Sequence, residues 1–548
     1  MKVMRSGGDR HKGWLRWGAG LCLAVAIPAP GVAGGSGITD RGAEAADPAR
    51  APLAARIEAI MKRPEYRHAR FGMKFVSLKD GRTLYEHDAD QLFVTGSTGK
   101  LFPAGAALAT LGPDFRFRTK VYRTGPIVDG VLKGDLVLVA SGDPNLSGRI
   151  GPDGSLAFVE TDHSYDMLPG AAVAGGDPLQ VIRRIAEQVA AKGIKRIDGA
   201  VRVDTSLFPE APWVDPRAII SPISVNDNIV DVTVSPGANP GGPAILRISP
   251  ETSYVRIVNR TNMVADGPAT VGFVEDVRNP DGTHVVTLAG NMPTGQGEVL
   301  RAYRAPEPQR FAETLLAEAL REKGVAARTD HSGKADFGAL AAAYTPANQV
   351  AEHISPPLTE AVKVVLKVSH NPHAAMFPKL LGAYVAKDNA NALAAGFGVQ
   401  RSVFEKAGME LDAAMQVDGS GAGSRYSPDA TVRFLQYMAK QPYFRAWLTA
   451  QPIMGKDGTL AKIQKDSVAA GHVYAKTGTE ISPNLVNGRL MLMGKGLGGY
   501  VEGPTGEVVA FGLYANNVPI DGMEGASKVG EALGEIATAV YESMAAKP

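Results

Sequence analysis

Ser97-Thr98-Gly99-Lys100 leads directly into Leu101-Phe102-Pro103-Ala104-Gly105-Ala106-Ala107-Leu108-Ala109-Thr110-Leu111, an apolar, Ala-rich run that reads as a buried helix. Residues three apart on a helical turn share a face, so the Ser97 hydroxyl and the Lys100 ammonium can meet where the helix starts. A Lys that takes a proton from Ser needs a pKa well below the ordinary ~10.4. Partial burial and a second positive charge nearby would lower it. Pro103 has no N–H to give the Gly99 carbonyl, so the helix is expected to kink or to begin late. Ser-x-x-Lys alone carries little weight in a chain of 548 residues.

Upstream, Phe71–Leu78 and Thr83–His87 flank a turn at Asp80-Gly81 and read as a β-hairpin, after a short helix near residues 54–61. Downstream, Phe115–Tyr122 alternates apolar and basic residues as a strand does. Residues 119–331 are mostly strand-like, as in Val230-Asp231-Val232-Thr233-Val234 and His284-Val285-Val286-Thr287-Leu288, with helical stretches at 178–193 and 308–323. From Leu358 the pattern turns helical (358–368, 371–386, 390–407 and 427–440). It returns to strands at 472–476, 498–501 and 507–515 and closes with a helix at about 527–545. A strand–helix beginning matched by a helix–strand–helix end implies one domain interrupted by another. The expected parts are a catalytic domain at 54–118 and 332–548, with β-rich inserted material at 119–331.

Two further motifs accompany the first. Ser369-His370-Asn371 falls in a break between two helices, where a hydroxyl and a carboxamide two residues apart can face the same way. The hydroxyl can pass a proton to a leaving amine, and the carboxamide can orient a peptide group. Ser and Asn are also common helix caps. Lys476-Thr477-Gly478-Thr479 ends the strand begun by Val473-Tyr474-Ala475. Its ammonium and hydroxyl suit a carboxylate, Gly478 lets the backbone approach closely, and the N–H groups of Thr479 and Ser97 can together form an oxyanion hole. Ser-x-x-Lys, Ser-x-Asn and Lys-Thr-Gly, in this order and in these settings, form the set shared by penicillin-binding proteins and class A β-lactamases.

Bulk properties narrow the class. Residues 1–33 carry five Lys or Arg and one Asp; without them 53 basic and 55 acidic residues remain, a net charge of −2. A near-neutral chain has no electrostatic pull toward nucleic acid. Residues 1–33 have the basic start, the apolar run Trp17–Ile27 and the small residues Gly31-Val32-Ala33 of a cleavable export signal. The apolar run is short for a membrane span. A flexible Pro/Ala/Gly-rich leader at 34–53 follows. The single cysteine, Cys22, lies within the signal, so no disulfide is expected beyond it. His370 and His373 have no carboxylate or Cys cluster beside them in sequence, so no metal is expected. Asp143 and Asp418 read as turn formers.

Over nearly the whole length beyond residue 53, the chain resembles the low-molecular-mass class C penicillin-binding proteins, the D-alanyl-D-alanine carboxypeptidase/endopeptidase family. The resemblance rests on the three motifs, on Gly134–Leu146, on Ser221-Pro222-Ile223-Ser224-Val225-Asn226-Asp227-Asn228, and on Asp418-Gly419-Ser420-Gly421 with Ser424-Arg425. It rests above all on the 272-residue gap between Ser97 and Ser369, which in this family holds extra domains and in β-lactamases only a helical segment. It implies an α/β (α+β) serine DD-peptidase/β-lactamase-like domain, with an antiparallel sheet flanked by helices and interrupted by β-rich insertion. The implied reaction is hydrolysis of D-Ala-D-Ala ends or D-Ala–meso-diaminopimelate cross-links of peptidoglycan stem peptides. Ser97 would be the nucleophile, Lys100 the proton acceptor and Ser369 the proton relay. Asn371 would hold the acyl side chain, and Lys476, Thr477, Gly478 and Thr479 the carboxylate end. β-Lactams would acylate Ser97; no cofactor is implied, and the setting would be periplasmic or otherwise exported. Two departures stand out. His370 replaces the usual Asp or Asn and is expected to point outward, and about ten extra residues between Thr479 and Gly498 suggest a flap at 483–496. The rival readings are a β-lactamase-like hydrolase, separated by deacylation rate, and a non-catalytic cell-wall-binding or penicillin-sensing module.

Overall fold

A helix without a polar stripe is stable only where it is covered on all sides, and the chain builds its main layers around one such helix. The computed structural model describes residues 52–214, 218–330 and 335–545; the expected export signal and the leader as far as residue 51 lie outside them. Leu101–Leu111 is the central helix, with every residue from Leu101 to Leu108 buried. It is preceded by a tight 3₁₀ turn, Gly96–Lys100. Of the two outcomes expected from Pro103, the helix takes the late start. Pro103 then falls in the first turn, where its missing N–H would have had no helical partner.

One face of this helix packs on a five-stranded antiparallel sheet. Its strand order is Thr83–His87, Arg70–Ser77, Val508–Ile520, Arg489–Glu502 and Val473–Asn484. Both ends of the chain therefore meet in one sheet. Val508–Ile520 is buried on both faces over most of its length, as a strand between two helical layers must be. The opposite face of the sheet is covered by Leu53–Met61 and by Gly522–Ala545, whose Ala526, Val529, Leu533, Ile536 and Val540 recur every three or four residues along one stripe. Helices Asn371–Leu381, Ala392–Lys406 and Pro428–Ala439 complete the layer around Leu101–Leu111.

The residues between carry their own layers. A mixed sheet runs Gln349–Ile354, Arg118–Arg123, Leu136–Val139, Val201–Asp204, and the helices Gln180–Ala191 and Pro308–Glu322 cover it. Two three-stranded sheets enclose a smaller core of Val232, Val234, Met263, Leu288 and Met292. The architecture is thus an antiparallel sheet between helical layers, interrupted by β-rich material. Among the described residues no helix is long and apolar enough to cross a membrane. The expected flap is not one: residues 479–495 lengthen the last two strands into a hairpin paired out to Asn484↔Arg489. Strand Val508–Ile520 lengthens beside it, and only the turn carrying Leu485 and Val486 stands clear.

Phe102, wholly buried and packed against Phe404, Tyr426 and Phe434, is the aromatic anchor of the central helix. Phe102→Ala is expected to cost about 3–5 kcal/mol, read as a lower denaturant midpoint at unchanged slope; a cost below about 1 kcal/mol would show that this cluster does not anchor the helix.

Candidate active site

The tight turn at Gly96–Lys100 points Ser97 and Lys100 into the same space, and two other segments close on them. Lys100 is fully buried, and its Nζ donates to three oxygens: Ser97 Oγ at 2.6 Å, Asn371 Oδ1 at 2.7 Å and the Ser420 carbonyl at 2.7 Å. Burial pushes the Lys100 pKa down to about 7, against a smaller upward pull from Asp418. Of the two causes expected, burial and a second positive charge nearby, burial is the one that lowers it. A neutral amine keeps two N–H donors and one lone pair, so Asn371 and Ser420 can take the donors while the lone pair faces the Ser97 hydroxyl.

The Ser420 carbonyl is aimed by the Asp418 turn. Asp418 Oδ1 accepts the N–H groups of Ser420 and Gly421, while Oδ2 accepts Ser420 Oγ and Trp213 Nε1. Asp418 is thus the turn former expected, but the turn it forms reaches Lys100. Gly478 serves a close approach: a Cβ there would lie 1.9 Å from the Thr95 carbonyl and 2.6 Å from Thr98 Oγ1. Any side chain would push the strand off the Ser97 turn. Gly96, at φ 51°, lies against the backbone of Thr479 from the other side.

Ser369 sits between helices Leu358–Lys367 and Asn371–Leu381 in the left-handed region, at φ 63°. Strain of this kind persists only where surroundings enforce it. Here Tyr165, from the middle of the chain, donates its hydroxyl to the Ser369 carbonyl. The cap of the helix that follows is neither Ser369 nor Asn371 but His370, whose Nδ1 accepts the His373 N–H at 3.3 Å.

His370 does not point outward. Its ring is fully buried and stacked on His373 at 3.6 Å, facing carboxylates that sequence proximity could not reveal. Asp227 Oδ1 contacts His373 Nε2, and Asp227 Oδ2 takes both His163 Nε2 at 2.6 Å and Arg149 at 2.9 Å. Asp162 takes Arg149 at 2.6 Å, and Asp231 takes His163 Nδ1 at 2.9 Å. Burial alone would raise the pKa of the Asp227 carboxyl, but His373, His370 and Arg149 face it and hold it well below the usual range. Burial opposes charge on His163 too, and Asp231, Asp162 and Asp227 outweigh it, raising His163 well above an ordinary imidazole. His370 goes the other way, pushed down to about 4 by burial and by His373.

Asp227, His370 and His373 bring three potential ligand atoms together, so the premise that no carboxylate accompanies the histidine pair is corrected. The donor set nonetheless suits an ion network better than a metal. His370 Nδ1 accepts a hydrogen bond, which leaves the proton on Nε2, and Arg149 already occupies the cation position between Asp162 and Asp227.

On the last strand but two, Lys476 is fully buried and its Nζ turns to the neighbouring Thr477 carbonyl at 2.8 Å. Burial, then the charges of Lys100 and Lys495, push its pKa well down. Thr477 Oγ1 donates to Thr459 Oγ1 at 2.8 Å. Ser97, Ser369, Asn371, Thr477 and Thr479 all line one cleft of about 590 Å³. Tyr165 and Leu168 of the inserted region also line it. All eight residues singled out in the sequence therefore lie in or directly behind one cleft. Sequence reasoning missed Tyr165, Trp213, the Ser420 carbonyl, Asp227 with its partners, and Lys495; only Asp227 and Ser420 stood within segments already marked as family-like.

Comparison with known proteins places the chain in a family. Residues 53–540 match the D-Ala-D-Ala carboxypeptidase 3 (S13) family. A D-alanyl-D-alanine carboxypeptidase of Actinomadura sp. is 29% identical over 487 residues, covering 84% of this chain and 80% of the relative. The D-alanyl-D-alanine carboxypeptidase DacB of Haemophilus influenzae is 24% identical over 479 residues, covering 82% and 86%. The crystal structure of penicillin binding protein 4 from Haemophilus influenzae superposes with a TM-score of 0.66 at 18% identity, over 89% of this chain and 98% of that one. With nearly its whole described length matched, the chain belongs to the D-Ala-D-Ala carboxypeptidase 3 (S13) family, whose members are serine peptidases.

Proposed function

We propose that the chain is a DD-peptidase acting through an acyl-Ser97 intermediate on peptidoglycan stem peptides that end in D-Ala-D-Ala or are joined through D-Ala–meso-diaminopimelate bonds. The observation that carries this reading is the buried Lys100 amine 2.6 Å from Ser97 Oγ, its other donors held by Asn371 and Ser420. Ser97 Oγ attacks the carbonyl carbon as its proton passes to Lys100 Nζ. The N–H groups of Ser97 and Thr479 receive the oxyanion. The proton travels on through the Ser369 hydroxyl to the departing amine as the C–N bond breaks. Asn371 orients the acyl side, the Lys476–Thr479 strand takes the carboxylate side, and water then releases the acyl group. β-Lactams fit as mimics of the acyl-D-Ala-D-Ala end. The basic and apolar segment 1–33 supports export to the periplasm, where this substrate lies. Residues 119–331 serve as an inserted wall of the cleft, holding the Ser369–Asn371 turn from behind.

Intact mass after brief incubation with benzylpenicillin tests the reading. A persistent one-to-one adduct on the wild type and none on Ser97→Ala is the expected result. An unmodified wild type that consumes the drug would instead make it a β-lactamase, and no reaction of either kind would leave a binding module.

Because Lys100 must be neutral to accept a proton and its pKa is about 7, kcat/KM should rise as pH is raised through about 7. Lys100→Arg should abolish acylation at every pH, since a guanidinium does not release its proton; residual activity with the same rising limb would assign the limb to another group.

Asp227→Asn leaves Arg149 and His163 facing one fewer buried charge, so stability should fall by about 3–5 kcal/mol. In protein still folded by circular dichroism, acylation by benzylpenicillin should also slow about 10- to 100-fold as the Ser369–Asn371 turn loses its backing. An unchanged acylation rate would show that the ion network does not position the turn.

A further inference from the structure

The released D-residue carries its carboxylate next to the scissile nitrogen. A cation that grips it must stand beside Ser97 on the cleft face of the Lys476–Thr479 strand. Lys476 does not stand there: it is fully buried, its Nζ is turned to the Thr477 carbonyl, and its neighbours Lys100 and Lys495 disfavour its charge. Side chains alternate along a strand, so Thr477 and Thr479 share the cleft face while Lys476 points behind it. The residue paired with Thr479 across the hairpin is Lys495. Its Nζ donates to Thr479 Oγ1 at 2.9 Å, and it lines the same cleft as Ser97, Thr477 and Thr479. The ladder slips by one residue one pair further on, between Glu480 and Ile481. Such a bulge twists the local strand and redirects the side chains next to it.

The charges around Lys495 leave it for a ligand. Glu531 lines the cleft but accepts the N–H and Nε2 of Gln464. Glu480 accepts the Gly423 N–H. Glu160 and Lys462 pair with each other. Lys100 and Lys476 lie behind the cleft surface. Among the described residues no carboxylate forms an ion pair with Lys495. We propose that Lys495, with Thr479 and Thr477 as hydroxyl partners, is the cation that binds the free carboxylate of the departing D-residue and so selects acid-terminated substrates, in place of Lys476. The proposal rests on the DD-peptidase reading above and names the charge that sets its substrate. Burial brings the Lys495 pKa down to about 8, so the free amine loses this grip in mildly alkaline solution.

The test compares a D-Ala-D-Ala-terminated peptide with its C-terminal amide on wild type, Lys495→Met and Lys495→Arg. Wild type should prefer the acid. Lys495→Met should lower the acid-over-amide ratio of kcat/KM about 10- to 100-fold, mainly through KM, as for a lost charge-assisted hydrogen bond, and Lys495→Arg should restore most of it. In wild type the same ratio should fall as pH rises through about 8, opposite in sense to the limb set by Lys100. An unchanged ratio in Lys495→Met would overturn the proposal, as would equal loss on acid and amide, because Lys495 would then only orient Thr479. If wild type cleaves neither peptide and is not acylated by benzylpenicillin, the DD-peptidase reading fails and this proposal falls with it.

Discussion

An amine buried without a carboxylate partner is costly in its charged form, and the site is organised around one such amine. Among the described residues Lys100 has no ion pair. Its three neighbours are a hydroxyl, a carboxamide oxygen and a backbone carbonyl, each delivered by a different part of the chain. That arrangement satisfies the donors without stabilising the charge, so the pKa falls toward neutrality instead of rising. A carboxylate at any of the three positions would satisfy the same geometry and hold the lysine protonated. The nearest acid, Asp418, is spent on a turn and on Trp213, and it exerts only a counter-pull.

Delivering three oxygens to one nitrogen requires segments far apart in sequence to be held rigidly, and the means differ. Ser97 is placed by a 3₁₀ turn wedged against a strand that has glycine where any Cβ would collide. Ser420 is placed by an aspartate-closed turn. Asn371 follows a residue in a disfavoured backbone conformation, and that turn is braced from behind by the Tyr165 hydroxyl and by the His370–His373 stack on Asp227. The bracing residues Arg149, Asp162, His163 and Asp227 lie far in sequence from the turn, so the long insertion is mechanically part of the site. A histidine at position 370 suits this setting because its Nδ1 can cap the helix while its ring fills a dry, negatively charged pocket.

Much of this was legible from local pattern. The Asp80-Gly81 hairpin, the all-apolar helix after Lys100 and its late start at Pro103 follow from turn chemistry, hydrophobicity and one missing N–H. The motif residues could be chosen because their chemistry is tied to short spacings. What escaped was long-range. Asp227 lies 143 positions from His370, and nothing local says that the two meet. Gln349–Ile354 was not recognised as a strand, since its pairing partner, Arg118–Arg123, lies more than 200 residues upstream. The residues after Thr479 suggest a flap only because they exceed the family pattern by about ten, and excess length alone does not say whether a segment pairs. Only the partner strand Val508–Ile520, continuing beside them, turns the segment into a longer hairpin.

The three lysines around the cleft follow from depth alone. Lys100 and Lys476 are fully buried, and Lys495 is partly open. All three have pKa values lowered by desolvation. For Lys476 the neighbouring charges of Lys100 and Lys495 add to that cost. In the proposed mechanism that ordering separates two needs which otherwise conflict in one small space: a neutral amine to take a proton from Ser97, and a positive charge to hold a carboxylate. An anion bound at Lys495 would ease the repulsion that Lys476 feels from it, so the lysine behind the strand would sense whether the carboxylate pocket is filled.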